Sequence, residues 1–232
     1  GGLAETDYVF LQQNGLPQRW HSHPAAAFHI IETGFGTGAN FLLTWHYFRL
    51  FRQQQPKAIC QRLYFSTFEK FPLTKTDLAQ ALQAHPQLQQ QCEQLLTAYP
   101  PAIPGCHRLT FDEGTVILDL WLGDVNELLP QLPYSKVDAI YLDGFAPGKN
   151  PDMWQPELFN QLASRCGSDS TLATFTAAGL VKRGLQDAGF RVSKIKGFGR
   201  KREMLVATSD AMTNATPATD EIIIAGGGIA AL

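Results

Sequence analysis

A glycine run and three acids, each placed after an apolar stretch, are the parts of this 232-residue chain best suited to chemistry. The run reads Glu32-Thr-Gly34-Phe-Gly36-Thr-Gly38-Ala-Asn40 and lies between strand-like and helix-like segments. Glycines let the backbone turn tightly and approach a ligand, and a helix start offers unpaired N–H groups. The spacing is G-x-G-x-G, not the G-x-G-x-x-G of folds that grip a dinucleotide pyrophosphate. A ligand without pyrophosphate suits it better, such as S-adenosylmethionine with its carboxylate, sulfonium and adenosine. An ordinary glycine turn is the alternative.

Glu69 closes the second apolar stretch, where an acid can accept both hydroxyls of a ribose or simply cap a surface helix. Asp124, after Leu118-Asp-Leu-Trp-Leu122 and Gly123, would face an adenine amino group or cap a short helix over 125–129. Asp143 follows Ile140-Tyr-Leu142 and opens Asp143-Gly-Phe145-Ala-Pro147. Open α/β sheets bind ligands at that edge, although a turn cap would use the same acid. The following stretch to Trp154 is rich in turn formers and then presents an aromatic, so Phe145, Pro147 and Trp154 are candidates to hold a flat base and an amine.

Charge is unevenly spread. The whole chain carries a formal −2, yet residues 182–202 hold eight basic side chains against Asp187 alone, a net +7. Lys194, Lys196, Arg200, Lys201 and Arg202 form its densest part, which suits phosphate contacts or a solvated face. The histidines show no metal spacing, and His21-Ser-His23 reads as a solvated loop. No metal site is expected. Cys60, Cys92, Cys106 and Cys166 fit neither a zinc nor a disulfide pattern and read as reduced, partly buried thiols of a cytoplasmic protein.

These residues need positioning elements. Strands are expected over 28–32, 63–68, 138–142 and 171–175, with helices over 41–52, 74–84, 87–99, 153–163 and 178–188 between or after them. Asp112-Glu-Gly114 should turn a hairpin between 106–111 and 115–122, and 190–196 with 203–208 should close the sheet as an antiparallel pair. The pattern implies an α/β fold with a mixed, mostly parallel sheet and helices on both faces. Phe41, Trp45 and Phe48 recur at helical spacing and belong to its core.

With 44% hydrophobic and 17% charged residues the chain has the balance of a folded domain. No apolar run reaches the roughly 18–20 residues that span a bilayer, so no membrane partner is expected. Residues 209–220 turn to Ala, Thr, Asn and Pro and read as a linker after a domain over 1–208. Glu221-Ile-Ile-Ile-Ala-Gly-Gly-Gly-Ile-Ala-Ala231 then starts a strand and a G-x-G-x-x-A fingerprint. Residues 221–232 therefore read as the truncated start of a second, dinucleotide-binding domain.

Several longer stretches carry a more specific likeness. Phe68-Glu-Lys-Phe-Pro-Leu-Thr74, Leu142-Asp-Gly-Phe-Ala-Pro147, Asn150-Pro-Asp-Met-Trp154 and Gly197-Phe-Gly-Arg-Lys-Arg-Glu-Met204 are unusual, and with the glycine run they span most of residues 5–208. Together they resemble the N-terminal methyltransferase domain of the MnmC family of bifunctional bacterial tRNA-modifying proteins. The resemblance implies a class I, Rossmann-like fold that uses S-adenosylmethionine. It also implies an FAD-dependent oxidoreductase domain downstream, of which this chain would hold only the first residues.

The implied reaction methylates the amine of 5-aminomethyl-2-thiouridine at the tRNA wobble position. Glu32, Gly34, Gly36, Gly38 and Asn40 would surround the amino-acid and sugar parts of the cofactor, Glu69 its ribose and Asp124 its adenine. Asp143 would steer the amine, and the basic stretch would meet phosphates. A methyltransferase acting on a small amine or protein, and a nicotinamide- or flavin-binding oxidoreductase, are the rival classes.

Overall fold

The computed structural model describes residues 2–133 and 136–209. It opens with α1 (Leu3–Thr6), a π turn (Asp7–Leu11), a 3-10 turn (Gln12–Asn14) and α2 (Gln18–Ser22). There follow β1 (Ala27–Glu32), α3 (Ala39–Gln54), β2 (Arg62–Glu69), α4 (Lys75–Leu82) and α5 (Gln89–Ala98). A hairpin of β3 (Gly105–Phe111) and β4 (Val116–Leu122) leads to α6 (Val125–Leu128), β5 (Val137–Tyr141) and α7 (Pro156–Ala163). The chain then runs through β6 (Cys166–Thr174), α8 (Gly179–Asp187), β7 (Arg191–Ile195) and β8 (Met204–Thr208).

Eight strands form one sheet in the order β3-β4-β2-β1-β5-β6-β8-β7. The five from β4 to β6 are parallel, while β3 and β8 pair antiparallel to their neighbours. Strand order reverses between β1 and β5, so the loops after them diverge and leave a crevice at the carboxyl edge. Alternate side chains feed two cores. Phe28 and Ile30 of β1 face a core shared with Trp20, Phe41, Trp45 and Phe48, whereas Ile31 joins Phe159, Leu162 and Leu185 on the opposite face. Each face therefore buries its own helices.

Expected elements and observed ones agree in type, with four instructive departures. Residues 3–14 and 18–22 form packed helical turns, with Phe10 stacked on Tyr141 at 5.2 Å and Trp20 fully buried. His23 is not a solvated loop residue: its Nε2 contacts the Ala27 carbonyl oxygen at 2.9 Å and lies 3.9 Å from the Asp138 carboxylate. Strand β6 begins at Cys166, five residues before its expected start, and Pro156 sets the α7 start behind a 3-10 turn (Pro151–Trp154). Ser209 belongs to the domain rather than to a linker, since its buried hydroxyl donates to the carbonyls of Gly167 and Ser170. The rest of the expected linker and the strand over 221–225 lie outside the described residues.

The hairpin turn has a local cause. Asp112 and Glu113 both adopt positive φ, 48° and 57°, which side-chain-bearing residues rarely accept. Asp112 Oδ2 accepts from Trp45 Nε1 at 2.7 Å and from Arg49 Nε at 2.9 Å, so α3 holds the turn in that conformation. Cys60, Cys92 and Cys166 are buried free thiols, but Cys106 is exposed on β3. That corrects the expectation for Cys106. Strand β3 is the sheet edge, and its side chains alternate outward.

Candidate active site

A cavity of about 670 Å³ opens at the carboxyl edge, lined by the loops after β1, β2, β4 and β5 and by the N-terminal helix. Its size falls within the roughly 300–1,000 Å³ of sites that enclose small organic ligands. The glycine run crosses the switch point directly against the loop after β5. A Cβ on Gly34 would lie 2.9 Å from the Gly144 Cα, so only glycine allows these two loops to touch. Gly36, by contrast, has φ +54° and no neighbour within 4 Å of where a Cβ would stand. That is a cradle with its open side toward the cavity.

Glu69 stands across from this cradle. One carboxylate oxygen accepts from the Gly36 N–H and the other from the Phe71 N–H, each at 2.8 Å. The acid thus ties the glycine loop to the loop after β2 and presents its remaining lone pairs to the cavity. Asp124 also lines the cavity and caps α6, accepting from the Asn126 N–H at 2.9 Å and from Lys70 Nζ at 2.8 Å. Burial alone would raise its pKa, but the Lys70 ammonium and the Asn126 amide hold it below the ordinary carboxylate value. Both roles considered for Asp124, cap and ligand face, are compatible with this position.

Asn40 organises the floor. Its Nδ2 donates to Glu32 Oε1 at 2.8 Å and to Asp143 Oδ2 at 2.7 Å, while its Oδ1 accepts from Thr6 Oγ1 at 2.9 Å. Thr67 Oγ1 donates to the other Glu32 oxygen at 2.6 Å. Glu32 is fully buried and does not reach the cavity wall, so it meets the site through Asn40. Burial, followed by the nearby Asp143 charge, raises its pKa well above the ordinary value. Asp143 does line the cavity, and its Oδ1 accepts from the Gly144 N–H at 2.8 Å. Burial pushes its carboxyl up to about 6, with the Gly144 and Asn40 hydrogen bonds opposing that rise.

The other expected site residues divide. Phe145 lies on the cavity wall with 59% of its surface exposed. Trp154 does not present its ring: it is 2% exposed, packs with the α7 core and donates from Nε1 to the Phe145 carbonyl at 2.9 Å. Pro147 is buried and, like Gly38, lies off the cavity wall. Gly38 instead starts α3 at φ +75°, where a Cβ would strike the Phe35 ring. Of the basic stretch, Lys194 pairs with Glu203 at 2.7 Å and Lys201 with Glu5 at 2.8 Å, while Lys196, Arg200 and Arg202 are exposed.

Among the cavity residues not singled out as site residues from the sequence are Glu5, Thr6, Phe10, Phe71, His85 and Phe175. Phe71 lies two residues after Glu69 and is 64% exposed, a signal present in the Phe-Glu-Lys-Phe repeat of aromatics. Nothing local marks Glu5 or Thr6, which arrive from the N-terminus. Among the described residues there is no group of three or more potential metal ligands and no helix long and apolar enough to cross a membrane.

A strand order of 4-2-1-5-6-8-7, with a glycine cradle, a ribose-side acid and a carboxyl-edge cavity, is that of the class I methyltransferases. The residues suit S-adenosylmethionine: the cradle allows close backbone approach, and the Glu69 and Asp124 carboxylates on the same cavity wall could accept from the hydroxyls of a sugar and the amino group of a base. Residues 86–210 match a family described as S-adenosyl-L-methionine-dependent methyltransferase, and the chain belongs to that family. It is similar to the tRNA 5-methylaminomethyl-2-thiouridine biosynthesis bifunctional protein MnmC of Vibrio campbellii, 49% identical over 243 aligned residues that cover 99% of this chain. The MnmC of Aliivibrio fischeri is 55% identical over 210 residues, 89% of the chain. The chain spans about a third of these relatives, 36% and 31% of their lengths. The crystal structure of MNMC2 from Aquifex aeolicus shares the fold, with a TM-score of 0.71 over 93% of this chain and 64% of that one, at 22% identity.

Proposed function

We propose that the chain is the methyltransferase part of a longer cytoplasmic, bifunctional protein and N-methylates 5-aminomethyl-2-thiouridine at the tRNA wobble position. The product is 5-methylaminomethyl-2-thiouridine. An FAD-dependent domain continuing from residues 221–232 would remove the carboxymethyl group from 5-carboxymethylaminomethyl-2-thiouridine. One observation carries the tRNA reading: the basic loop between β7 and β8 borders the cavity itself. Lys201 reaches Glu5 and Phe175 on the cavity wall, and the Lys196 carbonyl accepts from Tyr8 Oη at 2.9 Å. Positive charge suited to phosphate therefore adjoins the place where a base would enter. The exposed rings of Phe71 and Phe145 at that cavity suit an unstacked base, which proteins hold by aromatic stacking.

Bound S-adenosylmethionine supplies a methyl group on a sulfonium, and the amine lone pair forms the C–N bond as the C–S bond breaks, its electrons remaining on sulfur. The chain's own task is to present a neutral amine in line. An alkylamine with a Lys-like pKa of about 10.4 is about 4.6 kcal/mol from neutral at pH 7. A carboxylate base of pKa about 6 cannot supply that difference, and its charge would favour the ammonium. Asp143 therefore orients rather than deprotonates. The proton leaves to water, and Asp143 accepts a hydrogen bond from the neutral amine while Asn40 and Gly144 fix its own oxygens.

The test is direct. The chain is incubated with S-adenosylmethionine and tRNA lacking the final methyl group, and wobble nucleosides are measured. Conversion to 5-methylaminomethyl-2-thiouridine is expected. Glu69→Ala should weaken cofactor binding by calorimetry about tenfold or more, the value of one lost charge-assisted hydrogen bond. Equal methylation of a free small amine, without tRNA, would replace the proposal by the small-amine reading.

A further inference from the structure

The pairing of Glu5 with Lys201 joins two residues 196 positions apart, at the wall of the cavity and beside Asp143. Lys201 Nζ stands 2.8 Å from Glu5 Oε1 and 5.1 Å from the centroid of the Phe175 ring. Glu5 and Phe175 line the same cavity as Asp143, whereas Lys201 reaches in from the exposed loop with about half its side chain in solvent. All three charges share one field: the Glu5 carboxylate pushes the Asp143 carboxyl up and the Lys201 ammonium pulls it down.

A carboxylate beside an aromatic face is how proteins hold an alkylammonium, with the cation within about 6 Å of the ring. Here that arrangement already holds one, the tip of Lys201. We propose that Glu5 and Phe175 form the ammonium subsite for the acceptor, which Lys201 occupies until the aminomethyl group of the substrate replaces it. The inference rests on the proposed amine-bearing tRNA substrate and assigns its docking point.

Three physical points support the exchange. The leaving and arriving groups are both primary alkylammonium ions, so the subsite needs no rearrangement. A half-exposed ion pair is a weak one, so its loss opposes binding little. The displaced Lys201 stays on the basic loop, where a tRNA phosphate is the natural new partner. The subsite gathers the charged amine, and after proton loss to water the neutral amine turns to Asp143 nearby. Capture and orientation then fall to different carboxylates.

Binding of two anticodon stem-loops tests this, one with 5-aminomethyluridine at the wobble position and one with plain uridine. The parent chain should prefer the first by about tenfold, the scale of one charge-assisted contact. Glu5→Gln should abolish that preference, with uridine stem-loop binding kept or strengthened as Lys201 is freed for phosphate, and Glu5→Asp should restore part of it. Phe175→Leu should reduce it, and Lys201→Met should keep or enlarge it by removing the competing cation. A full preference in Glu5→Gln, or a preference lost in Lys201→Met, overturns the subsite. If the parent methylates no wobble amine, the underlying function falls instead, and the two failures are distinct.

Discussion

Asp143 and Glu32 are two carboxyls bridged by one amide, and their environments separate their tasks. Glu32, fully buried, has its pKa raised by burial and then by the adjacent Asp143 charge, and serves to fix Asn40. Asp143, at the cavity wall, titrates at about 6 and is mostly ionised at neutral pH. Amine neutralisation raises the rate with pH throughout. If the ionised form of Asp143 orients the amine, methyl transfer at saturating substrates should therefore climb more steeply below about pH 6 than above it. Asp143→Asn should lack that extra steepness and keep a reduced rate, whereas Asp143→Ala should lose most activity. The rate profile from pH 5 to 8 checks this, and a parental profile in the Ala variant would make Asp143 structural. Stability moves the opposite way. A folded pKa raised from 3.8 to about 6 means the native state binds more protons, so this group's contribution falls as pH rises from about 4 to 6. Asp143 was legible because Asp-Gly ends an apolar strand, but its link to Asn40 spans 103 positions and no spacing rule reaches that far.

The elements show where periodicity suffices and where it stops. Strands β1, β2, β4 and β5 were legible because apolar residues dominate them and an acid or glycine closes each or follows within two residues. The N-terminal segment was not, because its α, π and 3-10 turns share no single period, and its buried residues answer to Tyr141 and Phe48 of distant elements. Trp154 misled for a related reason: turn-forming neighbours signal a loop, but not which way the ring packs. The crossing of the β1 and β5 loops offers a prediction at this scale. Gly34→Ala forces a Cβ against backbone at 2.9 Å, so both loops must part. Overpacking of this kind costs about 1–3 kcal/mol. Urea unfolding should show that loss, and calorimetry should show weakened S-adenosylmethionine binding. An unchanged midpoint and affinity would mean that the loops part freely and the contact has no structural weight.

At the scale of the whole molecule the asymmetry of charge becomes geometry. Strand β7 runs parallel to β6, so the loop after it emerges at the carboxyl edge, the same edge as the cavity. The net −9 of the remaining chain would repel a nucleic acid, and the +7 stretch gives it one favourable approach. Composition revealed the stretch but not its pairing. Glu203 and Glu5 offset Lys194 and Lys201, which moves the expected phosphate contacts to the exposed Lys196, Arg200 and Arg202. Each phosphate contact releases counterions, worth about 0.7–0.9 log units of affinity per log unit of salt. Replacing all three by alanine should therefore flatten the salt dependence of tRNA binding by about 2–3 units. The triple variant should bind S-adenosylmethionine as the parent does, because none of the three lines the cavity. Titrations of tRNA between about 50 and 200 mM salt read the slope directly. A slope equal to the parent's would assign the loop to solvent and require tRNA to approach across another face.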